Sequence, residues 1–205
     1  MNFNGFYSIT DSTLTKKGII EDVEAAIKGG ATIVQYREKN LDTGLMIEEA
    51  LKIKKICEGR ATIIINDRVD VALAVDAGGV HLGQTDMPYA AARRLLGDKI
   101  IGVTIHNLKE AKEAEAMGAD YMALSPIFST KTKSDAGPAA GLKVLKEVSE
   151  SASIPVVAIG GITLENARDV MKAGATTLCA ISATAGEDVE KKVKEFTKII
   201  KSRLQ

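Results

Sequence analysis

The sequence predicts a single-domain (β/α)8 TIM barrel, and three observations carry that expectation. Short β-rich runs recur eight times, and segments of helical period separate them. The hydrophobic fraction is 45% but only 4% is aromatic and Trp is absent, so a core must be built from Val, Ile, Leu and Ala, the residues of parallel sheets. At 205 residues the chain is near the lower limit for a complete barrel, with no length left for a second sizeable domain.

In order, the strand candidates are 5–10, 32–37, 62–66, 79–82, 100–105, 121–125, 156–159 and 177–182. A helix over 19–28 stops at Gly29-Gly30, and one over 108–117 stops at Gly118, where glycine supplies a left-handed cap. The final helix, 188–202, places Val189, Val193, Phe196, Ile199 and Ile200 on one face and charges on the other. An open doubly wound sheet shares this local pattern, but eight near-regular units in so short a chain favour closure. No linker or low-complexity tract interrupts the series, so the domain is expected to span 1–205.

Lys plus Arg and Asp plus Glu each total 27, which leaves no global field to attract nucleic acid or an anionic membrane. No leader-like N-terminus or bilayer-length apolar run is present, and a cytoplasmic protein is expected. Cys57 and Cys179 lie in periodic segments and read as packing residues.

In barrel enzymes the chemistry sits beyond the C-terminal strand ends, and the residues least suited to a core gather there. Gln35, Arg37 and Lys39 alternate at strand spacing after the second strand, so an amide and two cations share one side. A fork-shaped guanidinium and a mobile ammonium suit a diphosphate, although a solvated charge run has the same spelling. Asp67 and Asp86 follow adjacent strands and could share a Mg2+, which takes one or two carboxylates together with phosphate oxygens. Read singly, Asp67 is a helix N-cap and Asp86 a turn residue.

The 129–140 stretch, STKTKSDAGPAA, is long for a βα loop and offers Thr130, Thr132, Lys131 and Lys133 as a lid over a phosphorylated ligand, or forms a plain surface loop. Gly160-Gly161 after the seventh strand and Ile181-Ser182 after the eighth occupy the usual phosphate position of this fold. His81 is expected to be a strand residue. His106 sits at a strand end, with a structural or a ligand role open.

Several separated motifs, in order, resemble the thiamine-phosphate synthase family over nearly the whole chain. They are Gln35-Tyr36-Arg37-Glu38-Lys39, Asn66-Asp67-Arg68-Val69-Asp70, Gly79 to Gln84 with Asp86, Pro126 to Lys133, Ala158 to Ile162 and Ile181-Ser182-Ala183. The resemblance implies coupling of hydroxymethylpyrimidine diphosphate to a thiazole phosphate, carboxylated or not, with release of diphosphate. It implies ionisation to a pyrimidine-stabilised carbocation that the thiazole nitrogen captures.

By resemblance, Gln35, Arg37, Lys39, Asn66 and Lys133 hold the pyrimidine diphosphate, with Arg37, Lys39 and Lys133 the catalytic cations. Tyr36 and Glu38, within the same motif, join the substrate-binding set. Asp67 and Asp86 bind Mg2+, and Thr130, Thr132, Gly161, Ile181 and Ser182 hold the thiazole phosphate. Thr104 replaces the family's usual serine on the pyrimidine side, and Ser125 replaces a common glycine.

The resemblance implies small-molecule substrates, no nucleic acid or membrane partner, and is compatible with a homo-oligomer. Rival readings are a thiazole tautomerase of the same superfamily, a phosphosugar isomerase or aldolase on the same barrel, and a non-catalytic phosphate-ligand module. The tautomerase would have no use for a full diphosphate and metal set, and no buried catalytic Lys or Glu marks the isomerase or aldolase.

Overall fold

The structure is a computed structural model that describes residues 1–130, 132 and 137–204. Its strands are β1 (Phe6–Ile9), β2 (Ala31–Tyr36), β3 (Thr62–Asn66), β4 (Gly79–Leu82), β5 (Ile100–Ile105), β6 (Tyr121–Leu124), β7 (Val156–Ile159) and β8 (Thr177–Cys179). All pair in parallel, in sequence order, and β8 returns to β1, so the predicted barrel is closed. Helices α1 (Ile19–Lys28), α2 (Thr43–Cys57), α3 (Val69–Ala74), α4 (Tyr89–Leu96), α5 (Leu108–Met117), α6 (Gly141–Ser151), α7 (Ala167–Lys172) and α8 (Val189–Lys201) form the outer ring.

Alternation along each strand divides the core in two. Side chains turned outward meet the helices in the larger apolar layer, where Phe6 of β1 packs on Phe196 of α8 with ring centroids 5.2 Å apart. Side chains turned inward, among them Tyr7, Ile33, Ile64, Tyr121, Val157 and Cys179, fill the barrel. Both cysteines are buried, Cys179 inside the barrel and Cys57 on α2.

Where sequence and structure differ, a local bond explains it. The apolar pattern of β8 runs on to Ser182, but the strand stops at Cys179. The Thr184 hydroxyl bonds the Ala180 carbonyl at 2.9 Å, and the Thr184 and Ala185 N–H groups turn back to the Ile181 carbonyl. A turn therefore replaces the last ladder bonds and swings Ser182 to the rim. Glycine is obligatory at Gly102 on β5, where a Cβ would overlap the Tyr121 ring. Among the described residues no helix is long and apolar enough to cross a membrane.

Candidate active site

The strand ends open into a cavity of about 300 Å3 lined by Arg37, Lys39, Asn66, Asp67, His81, Gly83, Gln84, Thr85, Asp86, Thr104, His106 and Ser125. Each is set by the element beneath it. Arg37 leaves β2 stapled to β1, its N–H donating to Thr10 Oγ1 at 2.9 Å and its guanidinium meeting Asp11 at 3.2 Å. Lys39 reaches across to donate to Asp67.

Asp67 does not cap α3. Arg68 precedes that helix without a side-chain cap bond, and Asp67 has a left-handed backbone (φ 59°) whose N–H bonds the His81 carbonyl of β4 at 2.8 Å. Such a conformation costs a non-glycine residue energy and tends to persist at functional sites. Asp86 does close a turn, accepting from the Gly83 N–H at 2.6 Å.

The two carboxyl groups face each other. Burial disfavours charge on Asp67, but hydrogen bonds from Lys39 and Asp86 outweigh it and hold this carboxyl below the usual range. Burial and the adjoining Asp67 carboxylate push Asp86 upward despite the Gly83 N–H. Two acids so close repel when both are ionised, and the Lys39 ammonium on Asp67 offsets part of that repulsion.

A smaller cleft adjoins on the far side, lined by Ser125, Thr130, Thr132, Ile159, Gly160, Gly161, Ile162, Ala180, Ile181 and Ser182. The Thr130 hydroxyl accepts from the Thr132 N–H at 3.2 Å. Gly161 has φ 63°, and a Cβ there would press on Phe128 and the Ser129 carbonyl. The glycine is therefore needed for the approach of the β6 loop, in addition to any approach by an anion.

A family model described as thiamine monophosphate synthase matches residues 6–184. The chain belongs to this thiamine monophosphate synthase family. Thiamine-phosphate synthase of Methanosarcina mazei is 56% identical over 198 residues, covering 96% of this chain and 82% of that relative. The Chloroflexus aurantiacus thiamine-phosphate synthase is 50% identical over 197 residues, 95% of this chain and 91% of that relative. A solved thiamine phosphate pyrophosphorylase from Pyrococcus furiosus superposes with a TM-score of 0.93 at 43% identity, covering 100% of this chain and 98% of that chain. A 3-hexulose-6-phosphate synthase shares 18% identity at a TM-score of 0.69, a likeness of fold.

In this member of the thiamine monophosphate synthase family Arg37, Lys39, Asn66, Asp67, Asp86 and Thr104 line the cavity and Thr130, Thr132, Gly161, Ile181 and Ser182 the cleft, whereas Gln35, Tyr36 and Glu38 line neither. Tyr36 points out of the barrel, donating to Glu49 of α2 at 2.8 Å, because strand alternation puts it opposite Gln35 and Arg37. Glu38 organises its own loop by accepting from the Lys39 and Asn40 N–H groups at 2.7 and 2.6 Å. Burial opposes its charge, but these and neighbouring donors hold its carboxyl below the usual range. Both residues support the loop that carries Arg37 and Lys39 and do not line the cavity. Lys133 lies outside the described residues, as does Lys131.

Gln35 is drawn deeper than the mouth. It is buried, and its amide donates to Tyr7 Oη at 2.7 Å. Ser125 lines both the cavity and the cleft, at the seam between them. Sequence reasoning noted it only as a departure from the family pattern. It missed His81 as a lining residue, and missed that His106 is held by Glu110 through Nδ1 at 2.8 Å. The spacing of His106 and Glu110, four apart at a helix start, was the available signal.

Proposed function

We propose that this chain is a thiamine-phosphate synthase, joining hydroxymethylpyrimidine diphosphate to a thiazole phosphate, with or without its carboxylate, and releasing diphosphate together with, from the carboxylated form, carbon dioxide. The observation that carries the reading is the juxtaposition of two polar subsites across Ser125, one holding cations and an acid pair, the other glycine and hydroxyls. The names and near-full coverage of the relatives support it.

In this reading Arg37, Lys39 and Lys133 meet the diphosphate, and Asn66 and Thr104 meet the pyrimidine side. Thr130, Thr132, Gly161, Ile181 and Ser182 hold the thiazole phosphate. Gln35 acts from beneath the pyrimidine through its bond to Tyr7.

Among the described residues no group of three or more His, Cys, Asp or Glu side chains could hold a metal. Mg2+ nonetheless fits the donor set, because Asp67 and Asp86 set two carboxyls side by side in the cavity, and this ion draws its other ligands from water and substrate phosphate. When bound, it supplies charge neutralisation to the leaving diphosphate.

Departure of diphosphate breaks the methylene C–O bond, and the electron pair leaves with the oxygen. Arg37 and Lys39 neutralise that developing charge from fixed positions. The pyrimidine cation is captured by the thiazole nitrogen held in the adjoining cleft, so proximity replaces a protein nucleophile. A cytoplasmic setting suits two buried cysteines on separate elements, Cys57 on α2 and Cys179 on β8.

A tautomerase would leave the acid pair and its cations without a task. Incubation with both substrates and Mg2+ tests the reading: one diphosphate per thiamine phosphate is expected, and binding of both substrates without product would refute it.

A further inference from the structure

A continuous hydrogen-bond chain crosses the barrel interior beneath the cavity. Gln35 Nε2 donates to Tyr7 Oη at 2.7 Å, Tyr7 Oη meets Tyr121 Oη at 2.7 Å, Tyr121 Oη meets His81 Nδ1 at 3.0 Å, and His81 Nε2 meets Thr104 Oγ1 at 2.9 Å. Five strands contribute one residue each. Four of the five side chains are buried, and the fifth, Thr104, opens into the cavity.

The sense of this chain is fixed at its inner end. An amide nitrogen can only donate, so Tyr7 Oη accepts there, and its single hydrogen is left for Tyr121. Tyr121 in turn has one hydrogen, which goes to His81 Nδ1. With Nδ1 accepting, the ring proton sits on Nε2 and goes to Thr104. Having accepted from His81, the Thr104 hydroxyl directs its own hydrogen at whatever occupies the cavity. Burial pushes both phenols well above their ordinary range, so neither ionises to reverse the order.

We propose that Tyr121 is a positioning residue for the pyrimidine substrate: acting through His81, it makes Thr104 a hydrogen-bond donor towards a lone pair of the ligand, such as a ring nitrogen. Gly102 belongs to the device, since any larger residue would displace the Tyr121 ring. Stacking of the His81 and Tyr121 rings, centroids 5.6 Å apart, holds the imidazole in plane. The proposal rests on the synthase reading only for the identity of the ligand.

The chain has two histidines, so 15N-histidine labelling resolves His81 once His106→Gln removes the other signal. In ligand-free protein at neutral pH, the expected His81 form is the Nε2–H tautomer. In Tyr121→Phe it shifts towards Nδ1–H, because the phenol hydrogen no longer reaches that nitrogen. A wild-type His81 that is Nδ1–H or doubly protonated overturns the proposal, whatever the activity.

With substrates, Tyr121→Phe is expected to raise KM for the pyrimidine diphosphate roughly tenfold, the scale of one misdirected hydrogen bond, and to leave KM for the thiazole phosphate unchanged. In a Thr104→Val background the same change should add less than about twofold, since the hydroxyl it aims is gone. A full effect in that background shows that Tyr121 acts by packing and overturns the proposal. Thr104→Ser should retain the Tyr121 dependence. Absence of turnover in the wild-type protein counts against the synthase reading instead, and the tautomer measurement still decides the hydrogen-bond chain.

Discussion

Gly102→Ala is the smallest change that tests how the barrel interior is built. The added methyl would lie within the Tyr121 ring, which is fully buried. The ring has nowhere to retreat, with Tyr7 and His81 on either side of its hydroxyl. Overpacking of a tight core costs about 1–3 kcal/mol. Displacing the ring also breaks two buried hydrogen bonds, each contributing about 0.5–1.5 kcal/mol net, and strands Tyr7 Oη and His81 Nδ1. The combined loss should be about 4 kcal/mol, a large part of a domain's usual stability of roughly 5–15 kcal/mol. For a chain of this length each kcal/mol moves Tm by about 2–4 °C, so calorimetry should show a fall of about 8–16 °C. A variant within about 3 °C of wild type would refute the close approach of β5 to Tyr121 on which both core and hydrogen-bond chain depend.

The remaining expectations concern the site and its supports. Asp67→Ala or Asp86→Ala should lower turnover by about two to three orders of magnitude, the scale of a lost electrostatic contact to a leaving group, with unchanged circular dichroism; retained activity in both would refute their pairing as ligands. Asn107 accepts from the Glu110 N–H at 3.0 Å and starts α5, so Asn107→Ala should cost about 1 kcal/mol in urea unfolding. Burial opposes charge on Glu110, but the His106 donors outweigh it and hold its carboxyl low, so its contribution is present above the unfolded-state value and lost as pH falls through the folded one. The stability gap between wild type and Glu110→Gln should therefore shrink on acidification, and a gap that widens would contradict that sign.

The barrel was legible because its strands are short apolar runs bounded by glycine and polar rim residues, a pattern few other architectures repeat eight times in so few residues. The ladder end at β8 was not, since a local turn closed by Thr184 and Ala185 decides it while the apolar spelling continues. At the rim, alternation brings Arg37 and Lys39 to the cavity, while Gln35, expected beside them, is buried beneath it on Tyr7. The same alternation excludes Tyr36, which had entered the site through motif resemblance alone. The interior hydrogen-bond chain was hidden for a different reason. Both faces of a barrel strand are buried, so the sequence of β1 or β6 does not say whether Phe6 or Tyr7, or Tyr121 or Met122, turns inward. Only the closure of all eight strands brings Tyr7, separated by 114 residues, onto Tyr121.

Crossed steady-state kinetics test most directly the proposal that one rim carries two anion subsites, which share only Ser125 among their described lining residues. Gly161→Ala, which crowds Phe128 and Ser129 and strains a left-handed backbone, should raise KM for the thiazole phosphate at least about tenfold while leaving KM for the pyrimidine diphosphate near wild type. Arg37→Ala should show the reverse split. Both variants weakening both substrates alike would contradict the division of the site.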